Sequence, residues 1–356
     1  MRTTCVISIV LLAGCGGHAA TPDSGFDGAV DAHGTDVPGT DAPEDPPAAC
    51  PTSGTGALTP EPGSSCFVLT PEETGASASG ENATVASYAL TAASATAPRG
   101  ELVVFFNGSG GHPSGAIADP AINFYNAATA LGYDVLALSY PSEATLASLC
   151  GSDDACYFPT RESILVGVGQ PGAAAAVQAI TLDEGVARRL VLALRELAVR
   201  DPGHRWSTYL DTTGSDASPQ SEIAWTKVVA AGHSQGGGHA AALGKLFPVA
   251  RVIQLSSTCD TTAGAPASWT DGTAGPWASD PTQFFGLAAP TTFTNGQPSG
   301  GDTVCPRHVA NWQHLGMLSA RQHDDAATCG ATGPVAFHAA SLKCTQNQAA
   351  WAGLLQ

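Results

Sequence analysis

Lys227-Val228-Val229-Ala230-Ala231-Gly232-His233-Ser234-Gln235-Gly236-Gly237-Gly238-His239-Ala240-Ala241-Ala242-Leu243 decides the fold. Lys227 to Ala231 reads as a β-strand, and Gly237 to Leu243 as the opening of a helix. Between them lies Gly232-His233-Ser234-Gln235-Gly236, a G-x-S-x-G pentapeptide. A serine on such a strand-to-helix turn takes strained backbone angles, and the small residues two positions either side let neighbouring backbone pass closely. The turn holds Oγ clear of the sheet. The helix that follows aims its first N–H groups and positive dipole end at the same point. Alone the pentapeptide is a weak pattern; its setting between strand and helix gives it weight.

Working outward, Leu102-Val103-Val104-Phe105-Phe106 is a continuous apolar run, as expected of a strand buried on both faces. It leads into Asn107-Gly108-Ser109-Gly110-Gly111. Further strands are expected at Ser65–Thr70, Thr84–Thr91, Tyr133–Leu138, Arg251–Ser256 and Phe284–Leu287. A helix is expected near Pro120–Leu131. Another opens at Thr181, where Thr181 and Glu184 fit a capping box. Val186, Leu190, Leu194 and Leu197 then recur at helical spacing until Asp201-Pro202-Gly203 ends it. Strands alternating with helices imply a mostly parallel sheet covered by helices on both faces.

The elbow, the glycine-rich loop after Phe106 and the order of strands around them make residues 60 to 356 resemble the α/β-hydrolase superfamily, in its esterase and lipase branch. The resemblance implies a serine hydrolase that forms an acyl-enzyme on Ser234 and needs no cofactor. It implies oxyanion N–H groups from Gln235 and from the Gly108-Ser109-Gly110 loop, with Ser109 the first choice and Gly110 the second. It also implies the chain order serine, then acid, then histidine. The histidines after Ser234 are His239, His308, His314, His323 and His338. His239 belongs to the elbow helix and is expected to pack there. His308 and His314 flank Trp312 in a helical stretch, where a surface role is the simpler reading. His338 leaves room for one final helix, Gln346 to Leu355, and is preferred to His323. For the acid, Asp302 in Gly300-Gly301-Asp302-Thr303 is preferred to Asp260, which follows the Arg251–Ser256 strand.

The front of the chain reads differently. Arg2 and the short apolar run Val6 to Leu12 make an export signal, too short to span a bilayer as a helix. Leu12-Ala13-Gly14-Cys15 resembles a bacterial lipobox, which makes Cys15 the expected lipidation site and residues 1–15 the signal peptide. Residues 16–55, rich in Gly, Ala, Asp, Pro and Thr, read as an acidic disordered tether, with the hydrolase domain at 56–356. An exported chain anchored through Cys15 at the outer membrane or cell surface is expected. Net charge is −17, which disfavours nucleic acid as a partner. Much of the excess is local, since residues 16 to 98 hold 11 acidic side chains and no Lys or Arg.

Of the 10 cysteines, Cys5 and Cys15 belong to the signal. The others, Cys50, Cys66, Cys150, Cys156, Cys259, Cys305, Cys329 and Cys344, are even in number, as expected of disulfides in an exported chain. Only Cys150 with Cys156 is close enough in sequence to be paired on that ground. With no CxxC and no HExxH, no metal site is expected. Ala263 to Pro298, with Trp269, Trp277, Phe284 and Phe285, is expected to pack those aromatics into the core, the simpler reading, with a rim or small cap over an apolar floor as the alternative. The expected partner is a small-molecule or lipid-like ester. The competing readings are an amidase or peptidase of the same fold and a surface binding protein without turnover.

Overall fold

The computed structural model describes residue 50 and residues 58–77, 80, 83–113, 121–273 and 275–356. The signal peptide, Cys15 and nearly all of the expected tether lie outside the described residues. Cys50 falls within that tether, yet it is buried and bonded to Cys66. The folded unit therefore takes in a residue that composition assigns to the linker.

Eight strands form one sheet: β1 (Cys66–Leu69), β2 (Ser87–Leu90), β3 (Leu102–Phe106), β4 (Asp134–Leu138), β5 (Val228–His233), β6 (Arg251–Leu255), β7 (Phe284–Leu287) and β8 (Gln322–His323). Their order across the sheet is β1-β2-β4-β3-β5-β6-β7-β8. β2 runs antiparallel to both of its neighbours, and every other pairing is parallel. Parallel strands need crossovers, and helices supply them. Numbered in chain order, the longer helices are α1 (Ile122–Ala130), α2 (Tyr157–Val166), α3 (Val186–Arg200), α4 (Gln235–Leu246), α5 (His308–His314), α6 (Pro334–Lys343) and α7 (Gln348–Leu355).

Side chains alternate across a strand, so an apolar run feeds two cores at once. Leu102, Val104 and Phe106 of β3 pack with Ile164 of α2, Leu190 and Leu194 of α3 and Ala241 of α4. Val103 and Phe105 point the other way, into a second core with Phe124 and Tyr125 of α1 and Trp351 and Leu354 of α7. β4 and β5 divide in the same manner. This strand order, with helices over both faces, is the α/β-hydrolase fold. Among the described residues, no helix is long and apolar enough to cross a membrane.

One local expectation changes. The Thr181–Glu184 capping box is present, but it closes a single 3-10 turn, Leu182–Glu184. Gly185 is extended, and α3 starts after it. Around Ala263–Pro298 the aromatics pack on the core, as the simpler reading had it. Trp269 stacks on Phe158 at 5.7 Å, Trp277 lies 6.4 Å from Trp269 and 5.5 Å edge-on to Phe284, and Phe284 is fully buried in β7. Burying four large rings against the core outweighs leaving them at a rim.

All eight cysteines pair, as Cys50–Cys66, Cys150–Cys156, Cys259–Cys305 and Cys329–Cys344. Cys259–Cys305 joins the turn after β6 to the loop before α5, across 46 residues of sequence. By loop-closure entropy such a link contributes about 4 kcal/mol, within a usual range of roughly 2–4 kcal/mol once strain and residual structure are allowed for. The double variant C259S/C305S is expected to lose that much in urea unfolding. A loss below about 0.5 kcal/mol would show that packing alone holds this loop.

Candidate active site

Ser234 follows β5 directly and has φ 56° and ψ −126°, while α4 begins at the next residue. A positive φ is costly for a side chain with a Cβ, and the surrounding backbone must enforce it. Two glycines make room for that. A Cβ on Gly232 would stand 2.4 Å from the Gly236 backbone. A Cβ on Gly236 would stand 2.1 Å from the Phe106 carbonyl oxygen. The end of β3 and the start of α4 can therefore touch only through bare backbone.

That contact brings the glycine-rich loop to the serine. Asn107, Gly108, Ser109, Ser234 and His338 line one cavity of about 320 Å³. The Ser109 hydroxyl donates to Gln235 Oε1 at 2.8 Å, and the Leu146 N–H donates to the same oxygen at 2.9 Å. The side chain after Ser234 thus ties down the loop expected to face it. The first N–H groups of α4 have no acceptor within the helix. Gly110, the second choice for an oxyanion donor, has its N–H committed to the Ser142 carbonyl at 2.7 Å.

His338 sits on α6, inside a helix opened by Pro334 and rich in alanine. Its Nδ1 lies 3.0 Å from both carboxylate oxygens of Asp302. Facing a carboxylate, Nδ1 carries the proton and Nε2 is the basic nitrogen. Nε2 is buried and has no hydrogen-bond partner among the described residues. Several contacts hold the helix. His233 Nε2–H donates to the His338 carbonyl at 3.0 Å, Trp351 Nε1 to the Ser341 carbonyl at 2.8 Å, and Asn347 Nδ2 to the Ala340 carbonyl at 2.9 Å. Ser256 Oγ and Ser341 Oγ share a further bond at 2.8 Å. Cys344, bonded to Cys329, closes the helix end.

Asp302 is fully buried. Burial by itself raises a carboxyl's pKa. Here the His338 hydrogen bond and charge, with the Cys305 N–H, outweigh it and hold Asp302 below the ordinary carboxylate value. Its Oδ1 also accepts from the backbone of Val304 at 3.2 Å and Cys305 at 3.0 Å. Asp302 does not follow β7 directly. A hairpin, Thr291–Thr294 with Gln297–Gly301, intervenes and turns on Asn295-Gly296, both at positive φ. Asn-Gly between short strands is the sequence signal of such a turn, and it could have revealed the hairpin.

Asp260, the alternative acid, is engaged elsewhere. Arg161 holds it with two bonds, Nη2 to Oδ1 at 2.6 Å and Nε to Oδ2 at 2.8 Å, and Trp269 Nε1 adds a third at 2.8 Å. Arg161 also donates to the Gln235 carbonyl at 3.0 Å, so this buried pair braces the elbow helix from behind. His323 ends the last strand and lies against Asp324 and Val309, away from the Ser234 cavity. His239 is fully buried with its ring edge-on to Tyr140 at 5.3 Å. His314 shares a bond with Thr270 at 2.8 Å. His308 corrects the surface reading. It is buried, and its Nδ1 donates to the Cys305 carbonyl at 2.8 Å, within the loop that presents Asp302.

Two residues near the site carried no functional reading in sequence. Arg161 meets its partner 99 residues away, which no local pattern reveals. His233, inside the pentapeptide, had a position that could have flagged it. Burial, and next the charge of His338, push it down to about 3, so it stays a neutral donor. Among the described residues no group of three or more His, Cys, Asp or Glu could hold a metal ion.

No protein-family model matches the chain, and no curated protein matches it. Solved structures do. A serine hydrolase without a lid from Xanthomonas campestris aligns at 13% identity over 83% of this chain and 95% of its own, with a TM-score of 0.34. An esterase/lipase from an uncultured bacterium aligns at 14% over 58% of this chain, with a TM-score of 0.27; the chain spans 50% of that protein's length. An acetyl xylan esterase from Aspergillus awamori aligns at 11% over 65% and 75%, with a TM-score of 0.30. The fold itself rests on the strand order and crossovers described above.

Two predictions follow from the carboxylates and the buried histidines. Asp302→Asn keeps an oxygen for the Val304 and Cys305 N–H groups but loses the negative charge and sets an amide N–H donor against Nδ1, which favours the wrong His338 tautomer. Ester turnover is expected to fall roughly ten-thousand-fold with the fold retained. Asp260→Asn instead strips a buried guanidinium of its charge partner and is expected to cost about 3–5 kcal/mol in urea unfolding. Exchange of these two phenotypes would reverse the assignment. Because His233 is depressed in the folded state, the unfolded chain binds the extra proton below its ordinary pKa of 6.5. Stability is therefore complete above about pH 7 and is lost as pH falls from there towards 3, by up to about 1.4 kcal/mol per pH unit for one such group. Urea midpoints measured from pH 7 to 4 should show a shallower fall in His233→Asn than in the parent.

Proposed function

We propose that the protein is a serine hydrolase that cleaves carboxylic esters through an acyl-enzyme, working outside the cytoplasm on a lipid anchor at Cys15. The observation that carries the reading is the meeting of Ser234 and His338 on one cavity, with Asp302 bonded to the far side of the imidazole. His338 Nε2 takes the Ser234 Oγ proton as Oγ bonds to the ester carbonyl carbon. The carbonyl oxygen becomes an oxyanion, held by the N–H groups of Gln235 and Ser109. The imidazolium, steadied by Asp302, then protonates the leaving alkoxy oxygen as its bond to carbon breaks. Water enters, gives a proton to His338 and attacks the acyl carbon. The acid leaves, and Ser234 recovers its proton. Every proton taken in one half is returned in the other, so no external acid, base or cofactor is consumed.

The anchor rests on the Leu12-Ala13-Gly14-Cys15 pattern and on the tether composition of residues 16–55. The four disulfides support an oxidising compartment, where such bonds persist. Val304 and Val335 are exposed beside the cavity and offer apolar surface to an acyl chain. The test is labelling by a fluorophosphonate probe together with hydrolysis of short- and long-chain nitrophenyl esters. Both are expected in the parent, and Ser234→Ala should lose labelling entirely and turnover by roughly 10⁴-fold or more. A folded parent that neither labels nor turns over would favour a binding protein, and turnover confined to amides would favour an amidase.

A further inference from the structure

Two residues on the lining of the Ser234 cavity hold a buried polar atom with no hydrogen-bond partner among the described residues: His338 at Nε2 and Asn107 at Nδ2. The first is the base of the proposed mechanism. The second has no part in it. Asn107 is only 4% exposed, so solvent does not stand in for the missing partner. A buried donor left unpaired opposes folding, and native interiors hold few of them. Three other polar side chains on the lining are engaged. Ser109 Oγ donates to Gln235 Oε1 at 2.8 Å, Thr145 Oγ accepts from the Ser148 N–H at 3.0 Å, and His233 Nε2 donates to the His338 carbonyl at 3.0 Å.

The backbone of Asn107 is fixed, since its carbonyl accepts from Tyr140 Oη at 2.6 Å. A half-turn about the last side-chain torsion exchanges Oδ1 and Nδ2, so the amide turns its donor to the cavity while the backbone stays in place. The sheet says which part of a substrate that donor meets. Along β3, Phe106 packs in the core that holds Ala240 and Ala241 of α4, and Phe105 packs in the core that holds Leu342 of α6. Carried one step past the strand, this alternation sets Asn107 on the α6 side. The expected oxyanion donors belong to the other side, where Gln235 opens α4 and binds Ser109. On the α6 side Val335, Ala339 and Leu342 give the cavity an apolar wall. Asn107 is therefore a single amide beside the surface that covers the body of a substrate.

We propose that Asn107 is a specificity residue, whose amide N–H donates to a second, uncharged oxygen of the substrate (an ether, hydroxyl or carbonyl) a few atoms from the scissile carbonyl. The proposal rests on the serine hydrolase reading and selects among its substrates. A plain hydrocarbon ester leaves the amide unpaired when it fills the cavity. An ester with the extra oxygen pairs it, and a buried hydrogen-bonding group discriminates against the analogue that lacks its partner. The contact is a hydrogen bond only, with no proton transferred.

The test uses pairs of esters that differ by one oxygen in place of a CH2 group. On the acyl side the pair is nitrophenyl 3-methoxypropanoate and nitrophenyl pentanoate. On the alcohol side it is 2-methoxyethyl acetate and butyl acetate. For each, kcat/KM is measured with the parent, Asn107→Ala and Asn107→Leu. In at least one pair, both variants are expected to lower the oxygen-to-hydrocarbon ratio about fivefold, the scale of one net hydrogen bond. The ratio is internal to each protein, so any loss of folded enzyme cancels from it, and comparison with the parent cancels the intrinsic reactivity of each ester. If the parent cleaves these esters and neither ratio moves in the variants, the proposal is overturned while the hydrolase stands. The same holds if both members of each pair slow equally, because the amide then serves the shared reaction centre or the fold. If no ester is cleaved and the fluorophosphonate probe does not label Ser234, both readings fall.

Discussion

A Cβ on Gly236 would come within 2.1 Å of the Phe106 carbonyl oxygen and 2.5 Å of that of Asn107. This backbone-to-backbone contact is the constraint on which the rest depends. It lets α4 start hard against the end of β3, and it requires β5 to turn at Ser234 with φ at 56°. Any side chain there would push the helix off the sheet and draw the serine away from Ser109 and Gln235. The strain of one serine residue, on the order of 1–3 kcal/mol, is offset by the parallel pairing of β3, β5 and β6 and by packing on both faces of the sheet.

The acid and the histidine reach the serine by a different route. They come from segments with little sheet of their own, and covalent and polar ties replace strand pairing there. Asp302 is gripped by backbone N–H groups from Val304 and Cys305, and Cys305 is bonded to Cys259 at the end of the β6 turn. His338 is gripped through its own carbonyl by His233, and α6 is closed by Cys344. The residue before Ser234 thus fixes the helix of His338, and the residue after it fixes the loop of Ser109. Ser234, flanked by both, is the point where these two chains of contacts meet.

How much of this was legible in the sequence follows from the range of each interaction. The buried runs of β3, β4, β5 and β6 and the elbow are local patterns and read correctly to within one or two residues. The hairpin before Asp302 was equally local, written in Asn295-Gly296, but Gly, Pro and Thr around it suggested irregular structure instead. α6 was hidden because a short stretch between turns carries little periodicity, although Pro334 and the alanines favour a helix. The Arg161–Asp260 pair and the burial of His308 depend on partners remote in sequence. No propensity encodes those. The cysteines told that disulfides exist but not their pairing, because eight of them allow 105 connectivities.

The distribution of unsatisfied polar atoms carries the argument a step further. Among the described residues, Asn107 Nδ2, Gln235 Nε2, His338 Nε2 and both ring nitrogens of His239 are buried without hydrogen-bond partners. Each such atom opposes folding, and native interiors hold few of them. These five lie around the elbow, near the carboxyl ends of parallel strands, where open α/β sheets bind their ligands, while others such as Tyr125 Oη and Glu222 Oε1 lie elsewhere. A core selected for stability alone would have apolar side chains here. The polar groups instead supply one basic nitrogen and several donors beside a strained serine. That composition costs stability, and the proposed acyl-enzyme chemistry would use those groups to meet a charge that develops only during reaction.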